Sequence, residues 1–427
     1  MIVDLTVSNF RSIKDEQTLS MLAEHALGKH AENYTLIEDA RYAILRSAAV
    51  FGANAAGKSN VVRALAAIRW MVLMSSDRKE GNPILPYEPF RLSPETIDAP
   101  VSIELEFVVP SGIRYRYEIS YTSSQVVEER MYSFARRSRA VVFERGLTDN
   151  WETMKLGGTY KGGTRRFPFF KNTAYLSRAG NDASAPPSIR EVYQYFQRMT
   201  YIPAGSVVSP GLSAADDSMI SALSELICLA DTGISRLTVE DEDHPTEIRL
   251  PEGISDKLRE SILADNRRKA RFWIKSSSGD LFDFDSDEMS SGTMRLIEIL
   301  PVILHAFQDG SPVIVDELDA NLHTDMVALL LSLFHDNDIN RRGAQLIFTT
   351  HDTNVLDPDR MRRDQLWFVS KENGVSSMKS LDEYDRKTVR YDSPFEAFYR
   401  DGRLGALPRL PIGKVKDALL AALVDMA

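Results

Sequence analysis

The sequence of 427 residues contains one cysteine, Cys228. A disulfide framework is thereby excluded, and the chain suits a reducing compartment. Cys228 sits in the apolar run Ile227-Cys228-Leu229-Ala230, so it is expected to be packed in the interior. No stretch approaches the roughly 18 apolar residues of a membrane span; the richest, Met326 to Phe334, is short and has polar flanks. Met1-Ile2-Val3-Asp4-Leu5 lacks a basic region followed by a long apolar one, so no signal peptide, no membrane and a cytoplasmic location are expected. Positive charge is in deficit, with a formal net charge of −10. That excludes a protein whose whole surface coats nucleic acid, though not a local basic patch. Internal repeats, low-complexity tracts and sustained heptads are also missing.

What is present is an ordinary soluble composition, long enough for one large head with an insertion or for two or three domains. Met1 to Val7 and Tyr42 to Phe51 read as strands, and Val61, Val62, Leu65, Ile68, Met71 and Val72 recur at helical spacing. Val101 to Phe107 and Tyr115 to Ile119 alternate strictly about a Ser111-Gly112 turn, which predicts an antiparallel meander continuing through Val141-Val142-Phe143. Helices are expected around residues 188–198, over Met219 to Leu229, and over Pro251 to Arg271. Farther on, helix Met294 to Ala306, strand Val313 to Val315, helix Met326 to Phe334 and strand Gln345 to Phe348 alternate. That alternation implies a mainly parallel sheet and an α/β fold.

Between the strand ending at Phe51 and the following helix lies Gly52-Ala53-Asn54-Ala55-Ala56-Gly57-Lys58-Ser59, a full match to G-x-x-x-x-G-K-[ST]. Its glycines let the backbone turn tightly and bring N–H groups, including those of Asn54, Ala55 and Ala56, toward phosphate oxygens. Lys58 offers a point charge to the β- and γ-phosphates, and the Ser59 hydroxyl suits magnesium. The helix beginning near Gly57, with Asn60 in its first turn, adds its positive dipole end.

A second cluster follows the strand Pro312-Val313-Ile314-Val315, which ends in Asp316-Glu317. Two carboxylates at the carboxyl end of a buried strand stand where ligands bind in open α/β sheets. Asp316 would hold magnesium, and Glu317 would polarise an attacking water. One strand farther, Gln345 to Phe348 leads through Thr349-Thr350 into His351, which could reach the γ-phosphate edge.

Together these elements resemble the ABC-type ATPase head of the SMC, RecF and OLD proteins. In such heads a signature motif, commonly L-S-G-G-Q, opens a helix before the acidic strand; here Met289-Ser290-Ser291-Gly292-Thr293 occupies that place, with departures at Ser291 and Thr293. The resemblance implies ATP and Mg²⁺ as cofactors and a homodimer or higher oligomer. Ser290 and Gly292 of one copy would complete the γ-phosphate site of the other. It also implies that Asp319, in Leu318-Asp319-Ala320-Asn321-Leu322-His323, crosses the dimer interface, and that Arg11 and Ser12, in Asn9-Phe10-Arg11-Ser12-Ile13, border the nucleotide. No glutamine can be placed for the usual Q-loop; the Tyr87 to Leu92 region is its expected neighbourhood. A narrower resemblance rests on Asn9 to Gln17, Ser290 to Thr293, Asp364 to Val369 and Gly402 to Pro408. These are similar to short standalone AAA ATPases of the abortive-infection, anti-phage kind, encoded beside a nuclease or toxin gene. That implies an ATPase switch controlling a separate effector protein.

The expected architecture is then an N-terminal lobe over 1–110, an insertion over 111–284, and a C-terminal lobe over 285–427. The insertion is read as a β-meander plus a small helical subdomain in place of the coiled coil of SMC heads. It carries the densest basic clusters, Arg136-Arg137-Arg139, Lys161 with Arg165-Arg166, and Arg267-Arg268-Lys269-Arg271, beside Phe167, Phe169, Phe170 and Phe272-Trp273. Such a surface could hold nucleic acid, but the clusters are far apart in sequence and carry no accompanying motif, so solvated or locally paired charges are favoured. A DNA-repair ATPase of the RecF or SMC kind is the alternative function. An OLD-type nuclease is disfavoured because residues 376–427 are too few for its metal centre.

Overall fold

The structure, a computed structural model, describes residues 1–24, 29–37, 42–135, 138–205, 216–230, 232–241, 268–385, 387–390, 392–407 and 412–425. Two large sheets enclose a helix that is buried from both sides. The first is antiparallel and seven-stranded. Strand β1 (Ile2–Ser8) pairs on one edge with β2 (Gln17–Ser20) and on the other with β7 (Val101–Val108). From β7 the sheet continues through β8 (Arg114–Tyr121), β9 (Val126–Ala135), β10 (Ser138–Arg145) and the short β11 (Lys155–Leu156). The alternation in Arg114 to Tyr121 buries every second side chain, as a one-faced sheet requires.

The meander is therefore not a free-standing insertion. It pairs directly with the first strand of the chain, and the boundary expected at 110–111 falls inside the β7–β8 hairpin. Sequence spacing carried no signal for this, because the β1–β7 partners lie about 100 residues apart.

The second sheet runs β12 (Thr200–Ile202), β16 (Pro312–Val315), β17 (Gln345–Thr349), β6 (Ser47–Gly52), β18 (Leu366–Glu372), β19 (Val375–Ser380). All its pairings are parallel except the last, a hairpin. Strand β6 is buried at every position, which is why it reads as an uninterrupted apolar run. The single strand expected over Tyr42 to Phe51 is in fact two. Strand β5 (Tyr42–Leu45) belongs to a small sheet with β3 (Leu22–Ala23) and β4 (Tyr34–Ile37), and the chain changes sheet at buried Arg46.

Helix α1 (Lys58–Met74) lies between the two sheets, flanked by α2 (Tyr175–Gly180) and α3 (Pro187–Arg198). One core joins Leu105, Tyr117 and Phe143 of the antiparallel sheet to Val62, Leu65 and Ile68 of α1 and to Ile314 and Ile347 of the parallel one. The other face of the parallel sheet, with Phe51, Val313 and Phe348, packs against α5 (Ser291–Asp309), α6 (Thr324–His335) and α4 (Asp217–Leu229). Under the meander, Glu129 is wholly buried. It accepts from Tyr117 Oη at 2.9 Å, Arg145 Nε at 2.8 Å and the backbone N–H groups of Tyr175 and Leu176 at 2.7 and 3.0 Å. The carboxylate thus stitches three strands to the start of α2.

Helix α4 does not stand in a purely helical subdomain. It packs on a three-stranded antiparallel sheet, β13 (Ile234–Asp241), β14 (Arg268–Lys275) and β15 (Leu281–Phe284). The helix expected over Pro251 to Arg271 falls largely outside the described residues, and its last four positions are strand. Cys228, expected inside, is only half-buried on α4. The C-terminal part carries α7 (Phe395–Arg400) and α8 (Ile412–Asp425). Among the described residues, no helix is long and apolar enough to cross a membrane.

Candidate nucleotide site

The C-terminal ends of three adjacent parallel strands, β16, β17 and β6, bring the sequence-predicted residues together. Strand β6 delivers Gly52. A side chain there would bring its Cβ within 2.5 Å of Val369 O on β18, so only glycine lets the strands pair. The loop turns at Ala55 (φ +63°) and Gly57 (φ +110°), where an added Cβ would meet the Ser376 and Ser12 hydroxyls. Gly57 then caps α1, whose first residues are Lys58, Ser59 and Asn60. Asn54 and Ala55 are exposed at the mouth of the loop, Ala56 is buried beneath it, and Ser59 is half-buried.

Lys58 is buried and folded inward: Nζ donates to Gly52 O at 2.9 Å, to Ala53 O at 3.4 Å and to His351 Nε2 at 2.9 Å. An ammonium can only donate, so His351 accepts at Nε2 and is neutral. Both groups are shifted accordingly. Burial lowers the Lys58 pKa, against the pull of Glu317, Asp316 and Asp319. Burial, and then the Lys58 cation, lower the pKa of His351.

Asp316 is fully buried at the end of β16. Its Oδ1 accepts from Thr349 Oγ1 at 2.7 Å, whereas Oδ2 is buried with no hydrogen-bond partner among the described residues. The same Thr349 hydroxyl accepts from the Glu317 N–H at 2.7 Å. Glu317 itself has φ +57°, a left-handed conformation that is uncommon and costly away from glycine. Asp319 accepts from the His351 N–H through both oxygens, at 3.3 and 3.1 Å. Asp316, Thr349 and the Glu317 N–H thus form one bonded group and Lys58, His351 and Asp319 another, the two linked by the pull of the carboxylates on the lysine.

A magnesium ion fits this donor set. A buried carboxylate oxygen lacking a protein partner and the Ser59 hydroxyl on the adjoining helix are hard oxygen ligands. Among the described residues no group of three or more His, Cys, Asp or Glu forms a metal cage.

Ser290 caps α5, accepting from Thr293 N at 3.1 Å. Ser290 and Ser291 are exposed, and among the described residues no hydrogen bond joins Ser290 or Gly292 to the phosphate loop of the same chain. Gly292 presses on the turn after Asp319, where a Cβ would come within 2.7 Å of Asn321 O. Arg295, one turn on, is buried and ion-paired to Glu298 at 3.3 Å, and Nη2 reaches the Asp316 and Glu317 carbonyls at 3.5 and 3.4 Å.

Arg11 and Ser12 lie beside the loop but are engaged internally. Arg11 forks onto Glu88 at 3.1 and 3.0 Å, within the Tyr87 to Leu92 region. Ser12 Oγ accepts from Asn60 Nδ2 at 2.6 Å and from Ser376 Oγ at 2.7 Å, bracing the loop from below. The roles of Thr349 and Ser376 escaped the sequence reading. Thr349 stood within a quoted run without a distinguishing pattern, and Ser376 is more than 300 residues from the loop it braces.

The basic clusters do not assemble an aromatic-lined surface among the described residues. Phe167 and Phe272 are core residues, and Arg139 lies over Tyr132 at 4.6 Å. Arg271 pairs with Asp285 and Asp283, and Arg166 donates to Trp151 O. Arg136, Arg137 and Arg267 fall outside the described residues.

No curated protein sequence matches the chain. The solved structures similar in shape include two SMC heads. One is the SMC head domain from Thermotoga maritima, at 14% identity and a TM-score of 0.41 over 89% of this chain and 98% of that one. The other is an SMC head bound to the C-terminal winged-helix domain of ScpA, at 13% identity and 0.41 over 89% and 97%. Both are too distant to carry any argument. Residues 47–186 and 212–357 match the family described as "AAA domain, putative AbiEii toxin, Type IV TA system". The matched segments span the phosphate loop, the carboxylate pair and His351, and the chain belongs to this AAA-domain family, its two-sheet head being a P-loop ATPase fold.

Proposed function

We propose that the protein is an ATP-driven switch that closes as a homodimer around ATP, hydrolyses it slowly, and controls a separate nuclease or toxin effector in anti-phage defence. One observation carries the reading. Lys58, bonded to His351, lies under the pull of Asp316, Glu317 and Asp319, while Ser290 and Ser291 at the start of α5 are exposed and, among the described residues, Ser290 has no hydrogen bond to the phosphate loop of the same chain. A helix N-terminus is an anion site looking for a phosphate, and a second copy supplies one. The effector half of the reading draws on the resemblance to abortive-infection ATPases and on the toxin–antitoxin wording of the family description.

In this mechanism the loop N–H groups bind the phosphates, and Lys58 turns from its internal acceptors to the γ-phosphate. Asp316 and Ser59 would hold magnesium, whose chemistry there would be to neutralise phosphate charge. Glu317, held by Thr349, orients and polarises the attacking water. His351 stands at the γ-phosphate edge and, through the Asp319 contact, ties the presence of that phosphate to the interface turn.

The test is purification with and without ATP, for wild type and for Glu317→Gln, alongside the products of neighbouring genes. The variant should trap an ATP-bound dimer and retain the effector. If both proteins remain monomeric and alone with ATP present, the switch reading fails. A DNA-repair ATPase finds less support, since the aromatics of the basic clusters are in part core residues and several of the arginines are already paired.

A further inference from the structure

The phosphate loop is held from behind by the last hairpin of its own sheet. Asn373 (φ +49°) and Gly374 (φ +84°) make the two-residue turn between β18 and β19, a left-handed pair of the kind such hairpins favour. Val369 on β18 pairs with Gly52 at the start of the loop, and the hairpin register sets Ser376 directly opposite Lys371. Residues directly opposite share one face of a hairpin, and here that face meets the loop. Lys371, which is exposed, reaches Ala55 O at 3.4 Å. Ser376 is buried; its Oγ donates to Ala56 O at 2.5 Å and its N–H to Ser12 O at 2.7 Å.

The two carbonyls differ in what lies across their peptides. A trans peptide is planar, so its C=O and N–H point opposite ways. Ala56 N–H, across from Ala55 O, closes on Ala53 O at 3.1 Å. Gly57 N–H, across from Ala56 O, has no acceptor among the described residues. It points away from Ser376, to the side on which a phosphate would lie. Gly57 is what lets Ser376 come so close, since an added Cβ would strike its Oγ. The same glycine makes the 56–57 peptide easy to turn over, and turned over it would offer a carbonyl oxygen to the anion.

We propose that Ser376 is a positioning residue for nucleotide binding, which rests on the reading of residues 52–59 as an ATP site. By holding Ala56 O, its hydroxyl keeps the Gly57 N–H aimed at the phosphates and prevents the reversed peptide. The N–H serves bound substrate and transition state alike, so its loss weakens binding without slowing the chemical step.

The experiment is calorimetric titration of the full chain with ADP and with ATP, beside steady-state ATPase assays and thermal unfolding without nucleotide. Ser376→Ala should weaken both nucleotides at least tenfold and by the same factor, with kcat at saturating ATP within threefold of wild type. Ser12→Ala removes a neighbouring hydroxyl but leaves the Ser376–Ala56 bond, and should cost less than threefold. A folded Ser376→Ala that binds both nucleotides within threefold of wild type overturns the proposal. So does an equal loss in Ser12→Ala, which would mean general loosening, or a fall in kcat with binding intact. If the alanine variant does not fold, Ser376→Cys, a weaker donor of similar size, takes its place; at least a threefold loss is expected, and wild-type binding overturns the proposal. Lys58→Ala separates the two readings. Unchanged binding there overturns the ATP site itself, whereas its loss beside intact binding in Ser376→Ala overturns the role of Ser376 alone.

Discussion

Replacing Thr349 by valine keeps the shape of a fully buried side chain and removes one hydroxyl. That hydroxyl donates to Asp316 Oδ1 and accepts from the Glu317 N–H, each at 2.7 Å. A hydrogen bond to a charged group contributes about 1.5–3 kcal/mol, and a buried N–H left unmade costs about 1–3 kcal/mol. The two are not independent, so a stability loss of roughly 3 kcal/mol is expected rather than their full sum. The larger effect falls on catalysis. Glu317 holds a left-handed backbone, and without its anchor the carboxylate can drift; displacement by about 1 Å is enough for a roughly 100-fold loss of rate. Lys58 and the loop N–H groups are untouched, so KM for ATP should change little while kcat falls about 100-fold. Thr349→Ser keeps the hydroxyl and deletes a methyl group, a cost of about 1 kcal/mol, and should recover most of kcat. Steady-state ATPase assays beside thermal unfolding separate these outcomes. A valine variant within about threefold of wild-type kcat, or a serine variant as slow as valine, would refute the reasoning.

Three further expectations follow from the same structure. Glu129→Ala strands the buried Arg145 guanidinium and uncaps α2, so urea unfolding should report a loss of roughly 3–5 kcal/mol. His335, bonded to Ser47 Oγ at 2.9 Å, has its pKa lowered by burial to about 4. The unfolded chain therefore binds this proton more readily, and stability is full above about pH 6.5 and falls by about 3 kcal/mol toward pH 4. His335→Gln should flatten that part of the stability–pH profile, measured by chemical denaturation at each pH. Gly292→Ala drives a Cβ into the Asn321 carbonyl, so light scattering should show ATP-dependent dimerisation weakened at least tenfold while nucleotide still binds single copies.

The half-site was legible in the sequence because each part is local. A glycine-containing turn between an apolar strand and a helix, or two carboxylates after four buried residues, announces itself within ten positions. Parallel strands such as β6, β16 and β17 are buried on both faces, so their apolar runs stood out as well. What stayed hidden was set by distant partners. The β1–β7 pairing that absorbs the meander, and the Ser376 brace under the loop, join segments about 100 and 320 residues apart. The chain's change of sheet at Arg46 was invisible for a different reason: Tyr42 to Phe51 has strand-like character throughout, and only burial against two different neighbours divides it. The end of the expected Pro251–Arg271 helix failed because β14 earns its extended form from pairing with β13 and β15, which overrides local preference.

The inward fold of Lys58 bears on which anions the loop can hold. Its ammonium has three hydrogens to donate and three acceptors already in place, in Gly52, Ala53 and His351. A newcomer must displace these contacts, so its binding strength is a difference between two sets of bonds. Orthophosphate or sulfate offers a single tetrahedral group and gains little from the swap. A triphosphate reaches the loop N–H groups and the lysine at once, and the trade turns favourable. Self-occupation of this kind would leave the loop unresponsive to small anions, and reserve its response for a molecule long enough to span it.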